Sequence, residues 1–405
     1  MAGSHVASPR EPPLLVVGAL SFRSPLALRR RVAMRRVCKS TAEARLLFVV
    51  DEHDEDSVHG DVLAFNVTRT DRSFGTYLLT NAFFRHILES PAYSRCKYIG
   101  RSDDDSAFHV QQTLATMQSL DMSLLSSSSS SIRGSGTSGE SGRARHLVFG
   151  PMREWYMWNR HSMMPECWWP GPGLSIVVRN ASGRFPSAAP TKFCAERLLT
   201  AQERGCTVVG PYPFAKGPLA VMSRELVRDV ILPRLRADEE WALSAASAKL
   251  RSRRAIIFDD IYYGALIYSA LRERPLTLVD APLSEYQNVK IKPGRRRRRR
   301  PPPPALHARG QAIVYHKLKQ PQRFQYVANR SLLEPLSGGT GGASRGTDWH
   351  AGRLECVSVP EEFSSPRRNG WFAEDVRSTG YHDCAQWRFC TYKGVAYPTP
   401  PYYRA

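Results

Sequence analysis

"YIGRSDDDSAFHV" (Tyr98–Val110) sets three consecutive aspartates, Asp103 to Asp105, directly after a short β-favouring segment and before an amphipathic-looking stretch. Like charges that close raise one another's pKa unless a cation or hydrogen-bond donors offset the repulsion. The chain as a whole has a formal net charge of +20, so negative charge concentrated at one strand end stands apart from its surroundings. Such a cluster either lies in open water as a solvated turn or holds something positive.

The segments around it alternate between strand and helix. "LLVVGALSF" (Leu14–Phe22) reads as a first buried strand, although a nine-residue apolar run is also the size of a weak signal-peptide core. A basic helix follows over Pro25–Val37, then strands in "RLLFVV" (Arg45–Val50) and "GDVLAF" (Gly60–Phe65). "TYLLTNAFFRHILES" carries Leu79, Phe83 and Ile87 at helical spacing, and "CKYIGRS" is the strand that feeds the aspartates. Short apolar strands separated by helices predict an α/β fold with a mostly parallel sheet and helices on both faces. Ligands of such sheets bind beyond the carboxyl ends of the strands, where the aspartates sit.

Further along, the Ser-rich stretch near Ser126 cannot bury enough apolar surface to offset its ordering entropy, so a disordered insertion is expected over about 124–145. Order resumes at "HLVFGPMREWYMW" (His146–Trp158). "CTVVGPYPFAKGPLAVMSRELVRDVILPRL" (Cys206–Leu235) reads as a strand, a Pro/Gly loop and a helix starting near Ser223. "QAIVYHKLK" (Gln311–Lys319) is another short strand with a basic end. The organisation expected is a flexible N-terminus (1–13), a main domain (14–336) with an Arg/Pro loop at about 293–306, a linker (337–347) and a separate small unit with Cys and Trp (348–405).

At 42% hydrophobic and 10% aromatic, the 405 residues can build a sizeable core in one large domain or two ordinary ones. The positive charge points to anionic partners: nucleic acid, anionic membrane surfaces or phosphorylated small molecules. Part of it is local, because "GRRRRRRPPPP" (Gly294–Pro304) supplies six arginines in one run, which a solvated linker also explains. No aromatics interleave with those arginines, so nucleic acid is not the expected partner, and a nucleic-acid-binding protein stays the alternative. Eight cysteines without a Cys-x-x-Cys pair argue against zinc ribbons and fingers, while their even number is compatible with disulfides. Sequons at Asn66, Asn180 and Asn329 fit a secretory-pathway protein. No segment reaches the ~20 apolar residues that a membrane span needs.

A second acidic pair, Asp259 and Asp260, opens "DDIYYGALIYSAL" after the apolar "AIIF". Carboxylates at an apolar boundary are costly to bury unless paired or metal-bound. A helix N-cap with a dipole partner accounts for them too. Two such clusters in one α/β chain suit a shared site, one binding a hard cation and the other free to take a proton. A phosphoesterase acting on nucleotide sugars could use the same carboxylates.

Five blocks, in order, resemble glycosyltransferase family 31, the inverting β-1,3-galactosyl- and N-acetylglucosaminyltransferases, in the form of the kinetoplastid branch. They are "RRVAMRRVC" (Arg30–Cys38), "EDSVHGDVLAF" (Glu55–Phe65), "RSDDDSAF" (Arg101–Phe108), "PYPFAKGPLAVMS" (Pro211–Ser223) and "DDIYYG" (Asp259–Gly264). The chain departs from the family pattern at Cys38, Ser106, Leu219 and Ala220. The resemblance implies a GT-A type, Rossmann-like catalytic domain over 14–336 that moves a hexose, galactose or N-acetylglucosamine, from a UDP-sugar to a glycan hydroxyl. It implies Mn²⁺ (or Mg²⁺) bound by Asp105 and His316, with Asp103 and Asp104 facing the ribose or the waters of the metal. Asp260 matches the catalytic base, Lys317 lies near the phosphates and Arg35 steadies the nucleotide end. A histidine at a strand end is also an ordinary structural feature, as is an arginine on a surface helix. By the same resemblance the protein belongs in the Golgi lumen and is membrane-associated, with a glycan or glycoconjugate acceptor.

Overall fold

The computed structural model describes residues 12–22, 24–51, 59–67, 72–130, 146–152, 154–159, 164–169, 208–235, 259–271, 274–285, 314–322, 324, 327, 354–358 and 387–392. A nine-stranded sheet runs through them in the order β14-β15-β11-β6-β10-β4-β1-β2-β3. Its strands are β1 (Leu15–Leu20), β2 (Ala44–Asp51), β3 (Val62–Phe65), β4 (Tyr98–Asp103), β6 (His146–Gly150), β10 (Ala220–Ser223), β11 (Leu276–Asp280), β14 (Leu354–Ser358) and β15 (Trp387–Tyr392). The pairings β4-β1-β2-β3 and β6-β11-β15 are parallel, whereas β10 runs antiparallel to both β4 and β6. The mostly parallel α/β sheet expected from the sequence is therefore present. Its one interior reversal is β10, a four-residue strand inside what reads as a Pro/Gly loop.

β1 shows why the first apolar run is a central strand. All six of its residues are buried, and its neighbours in the sheet cover both edges. Side chains alternate between two cores: Val16 and Leu20 join one, while Leu15, Val17 and Ala19 join the other. The first core holds α2 (Arg72–Glu89), through Phe83, Phe84 and Ile87, and α5 (Asp259–Leu271). The second holds α1 (Pro25–Val37), through Met34, and α3 (Val110–Ser130), through Leu114 and Met117. Gly18 allows α2 to lie close, since a Cβ there would meet the Phe83 ring and Val49 at 2.8 Å. α1 starts as its sequence dictates: Ser24 accepts from the Ala27 N–H at 3.1 Å, and Pro25 occupies the first turn.

β10 is followed by α4 (Arg224–Leu226), which continues as a π-helical segment at Val227–Ile231. Ser223 sits at the N-cap as expected, but its hydroxyl accepts from the Leu147 N–H of β6 at 3.3 Å instead of capping the helix. Two small sheets accompany the large one. One is β12-β13-β5, from β12 (Leu283–Glu285), β13 (Val314–His316) and β5 (Ala107–Phe108); the other is β8-β7-β9, from β7 (Trp155–Asn159), β8 (Met164–Trp169) and β9 (Val208–Pro213).

Two expectations about organisation change. The described part of 348–405 is not set apart: β15 pairs with β11 at the sheet edge, and β14 pairs with β15, joined to it by the disulfide Cys356–Cys390. An open edge of β11 offers unpaired backbone groups that an apolar strand such as "WRFCTY" can satisfy. The helix α3 extends to Ser130, so the first residues of the expected insertion 124–145 are helical. The Arg/Pro loop 293–306, the linker 337–347 and the sequons at Asn180 and Asn329 lie outside the described residues. Among the described residues no helix is long and apolar enough to cross a membrane.

Candidate metal and proton-transfer site

The three aspartates divide between two environments. Asp103 ends β4, paired in register with Leu20 of β1, and the chain turns at Asp104 and Asp105 into β5. β5 pairs antiparallel with β13, which brings His316 to the turn, and the Leu318 N–H donates to the Asp105 carbonyl at 2.8 Å. His316 Nε2 is then 3.4 Å from Asp105 Oδ1 and 3.9 Å from Asp103 Oδ2. One ligand atom from each of Asp103, Asp105 and His316 lies within 4.8 Å of the others, a group able to hold a metal ion. Two carboxylates and an imidazole are donors that suit Mn²⁺, with Mg²⁺ the harder alternative that favours an all-oxygen set. Burial pushes the Asp105 carboxyl up, but hydrogen bonding and charge from His316, with Arg30 and Lys319, hold it below its ordinary value. Asp103 is raised, chiefly by desolvation and further by Asp259 and Asp105, against Arg101 and His316.

Asp104 takes no part in that group. Its carboxylate accepts from Arg30 Nη1 at 2.9 Å and from the Ser21 hydroxyl at 3.2 Å, and burial pushes its pKa up to about 6 against the pull of Arg30. Arg30 also donates to the Lys319 carbonyl at 3.1 and 3.0 Å, tying α1 to the segment after His316. Sequence reasoning gave Arg30 no role, although it opens the block "RRVAMRRVC" in the same basic helix as Arg35. Arg35 itself grips Asp61 with two hydrogen bonds, of 2.7 and 2.8 Å, and lies 4.9 Å over the Phe48 ring. Lys317 follows His316 with φ of 64°, left-handed backbone that a lysine seldom adopts and that occurs at strained functional turns.

The second acidic pair divides as well. Both residues lie in the first turn of α5, where the helix dipole favours negative charge. Asp259 is buried and bound by Arg101, whose Nη2 and Nε donate to its carboxylate at 2.6 and 2.9 Å, while Thr80 donates to it at 3.2 Å. Asp260 is the more accessible of the two and accepts from the backbone N–H groups of Gly217 at 3.1 Å and Ile261 at 2.9 Å. Desolvation, with Asp259 and Asp103 nearby and Arg101 opposing, pushes its pKa up to about 6. A carboxylate in that range is suited to taking a proton near neutrality. A cavity of about 20 Å³, room for one water, adjoins Arg101 and Asp260 and is walled by Phe214, Tyr263 and Ile267.

Gly217 joins the halves. Its carbonyl accepts from the Asp103 N–H and from Arg101 Nη1, both at 3.0 Å, while its own N–H donates to Asp260. A side chain there would have to displace the Asp103 carboxylate, because a Cβ would meet Asp103 Oδ2 at 2.5 Å. Asp103, through its backbone N–H, and Asp260, through its carboxylate, thus meet at one residue, Gly217, at the carboxyl end of β4 and the start of α5. Beside it, Lys216 pairs with Glu154 at 2.6 Å.

No protein-family model matches the chain, and no curated protein matches it. Among solved structures, mouse xyloside xylosyltransferase 1 in its apo form is similar over 75% of this chain and 97% of that one, at 13% identity and a TM-score of 0.31. A likeness that low carries no argument about function, which rests on the site itself.

Proposed function

We propose that this protein is a metal-dependent, inverting glycosyltransferase that moves a hexose from a UDP-sugar to a hydroxyl of a glycan acceptor. The observation that carries the reading is Gly217, whose carbonyl accepts from Asp103 at the strand end of the candidate metal group and whose N–H donates to Asp260. Asp103, Asp105 and His316 would hold Mn²⁺, or Mg²⁺, whose charge would offset that of the diphosphate of a departing nucleotide. Asp260, ionised above about pH 6, takes the proton of the acceptor hydroxyl as that oxygen attacks the anomeric carbon. A single displacement of this kind converts an α-linked donor to a β-linked product. Lys317, beside His316, is placed in sequence to meet the phosphates. Arg35, braced by Asp61 and Phe48, steadies the nucleotide end. Asp104 supports the donor side through Arg30 rather than through the metal.

The resemblance to glycosyltransferase family 31 narrows the proposal to galactose or N-acetylglucosamine as the sugar and a β-1,3 linkage. It also narrows it to a Golgi-lumenal, membrane-associated enzyme. The Cys356–Cys390 disulfide supports an oxidising compartment. The test is a donor screen with UDP-galactose, UDP-N-acetylglucosamine and UDP-glucose, with and without Mn²⁺, reading product stereochemistry by NMR. Acceptor-dependent, Mn²⁺-dependent formation of a β-linked product, lost in Asp105→Ala and Asp260→Ala, supports the assignment. Donor hydrolysis at the same rate with and without acceptor identifies a phosphoesterase instead.

A further inference from the structure

The proposed function leaves Arg101 without a part, although this side chain is 3% exposed and reaches toward both acidic clusters. We propose that Arg101 is a positioning residue: it fixes which oxygen of Asp103 faces the cation and ties that carboxylate to the helix bearing Asp260. This rests on the metal-dependent reading above. Arg101 Nη1 lies 3.5 Å from Asp103 Oδ1. Asp103 Oδ2 is the oxygen directed toward His316, at 3.9 Å from Nε2. The guanidinium is committed on every side, its Nε and Nη2 to Asp259 and its Nη1 to the Gly217 carbonyl and Asp103. A planar fork of donors is needed to serve a carboxylate and a carbonyl at once. Through Gly217, whose N–H is on Asp260, the same guanidinium sets the spacing between the metal group and the base.

Charge and geometry act in opposite directions here. A cation beside Asp103 weakens the attraction of that carboxylate for a metal, whereas a fixed orientation strengthens it. Removing Arg101 alone mixes the two effects and leaves Asp259 buried without its partner. Two variants hold the charge constant. Arg101→Met combined with Asp259→Leu removes one charge of each sign, and Arg101→Lys keeps the cation while losing the fork.

The experiment measures Mn²⁺ binding to the purified full chain by titration calorimetry, with circular dichroism and thermal melts as the record of folding. Wild type should bind Mn²⁺, Asp105→Ala should lose it, and each Arg101 variant should bind about 10–100-fold more weakly, the range typical for partners of metal ligands. At saturating Mn²⁺ the Arg101 variants should still show a reduced kcat with an unchanged KM for the donor, because the spacing to Asp260 stays altered. Wild-type Mn²⁺ affinity in either folded Arg101 variant, alongside loss in Asp105→Ala, overturns the inference and leaves the proposed function standing. Arg101→Lys decides alone if the double variant does not fold. Absence of Mn²⁺ binding by the wild-type chain overturns the proposed function, and the inference with it.

Discussion

Arg101 and Asp259, 158 residues apart in sequence, meet in the protein interior with Nη2 2.6 Å from Asp259 Oδ2. Arg101 belongs to the strand that ends in Asp103, one member of the candidate metal group, and Asp259 opens the helix that bears Asp260. This pair docks one acidic cluster against the other. Around it, the fold keeps Asp259 structural and leaves Asp260 free to react.

Substituting Asp259 by Asn removes the principal counterion of the buried Arg101 and leaves it only the longer contact to Asp103, at 3.5 Å. The expected cost is about 3–5 kcal/mol of folding stability, measured by urea unfolding. Asp260→Asn, at a partly exposed carboxylate, should cost much less. Equal losses in the two variants contradict the division of roles between them.

Gly217→Ala places a methyl 2.5 Å from Asp103 Oδ2 and 3.0 Å from Arg101 Nη1. Mn²⁺ affinity and transfer should both fall at least ~10-fold, as for other groups that orient metal ligands, while the circular dichroism spectrum stays unchanged. Wild-type Mn²⁺ affinity in this variant shows that the space left at Gly217 does not set the position of Asp103.

Asp260→Asn should lower kcat by roughly 10²–10⁴-fold, the range for a lost general base, with Mn²⁺ binding intact. In the wild type, a carboxyl whose pKa is raised to about 6 must be ionised to accept a proton. The rate should therefore be level above about pH 6 and drop tenfold per pH unit below it, and a flat profile down to about pH 4.5 excludes Asp260 as the base. The stability linkage has the opposite sense. With a folded value above the ordinary 3.8, this carboxyl favours folding below 3.8 and that contribution is lost as the pH rises through about 6.

Reduction of Cys356–Cys390, or Cys356→Ser, reopens a 34-residue span and frees the edge strand β14. A loss of about 2–4 kcal/mol is expected. Hydrogen exchange should speed up in β14 and β15 and stay slow in β1 and β4. Uniform acceleration across the sheet shows instead that the C-terminal strands support the whole fold.

Much of the frame was legible in the sequence because it is local. The apolar runs of β1, β2 and β4, the helical spacing of Leu79, Phe83 and Ile87, and Ser24 with Pro25 before α1 each carry their signal within a few residues. β10 was not legible: four residues after a Pro/Gly turn form a strand only because β4 and β6 pair with both of its edges. The C-terminal strands read as a separate unit because nothing in them announces β11 as their partner.

The amino-acid sequence by itself determined the α/β alternation, the buried central strand and the two acidic clusters, one at a strand end and one at a helix start. Periodicity and the chemistry of adjacent residues suffice for those. Only the tertiary structure decided that Asp103 joins Asp105 and His316, that Arg30 takes Asp104, and that Arg101 holds Asp259 while Asp260 stays open to the site. Such choices among neighbouring carboxylates depend on which side chain the packing leaves nearest. Partners more than 70 residues apart have no local pattern that could show it.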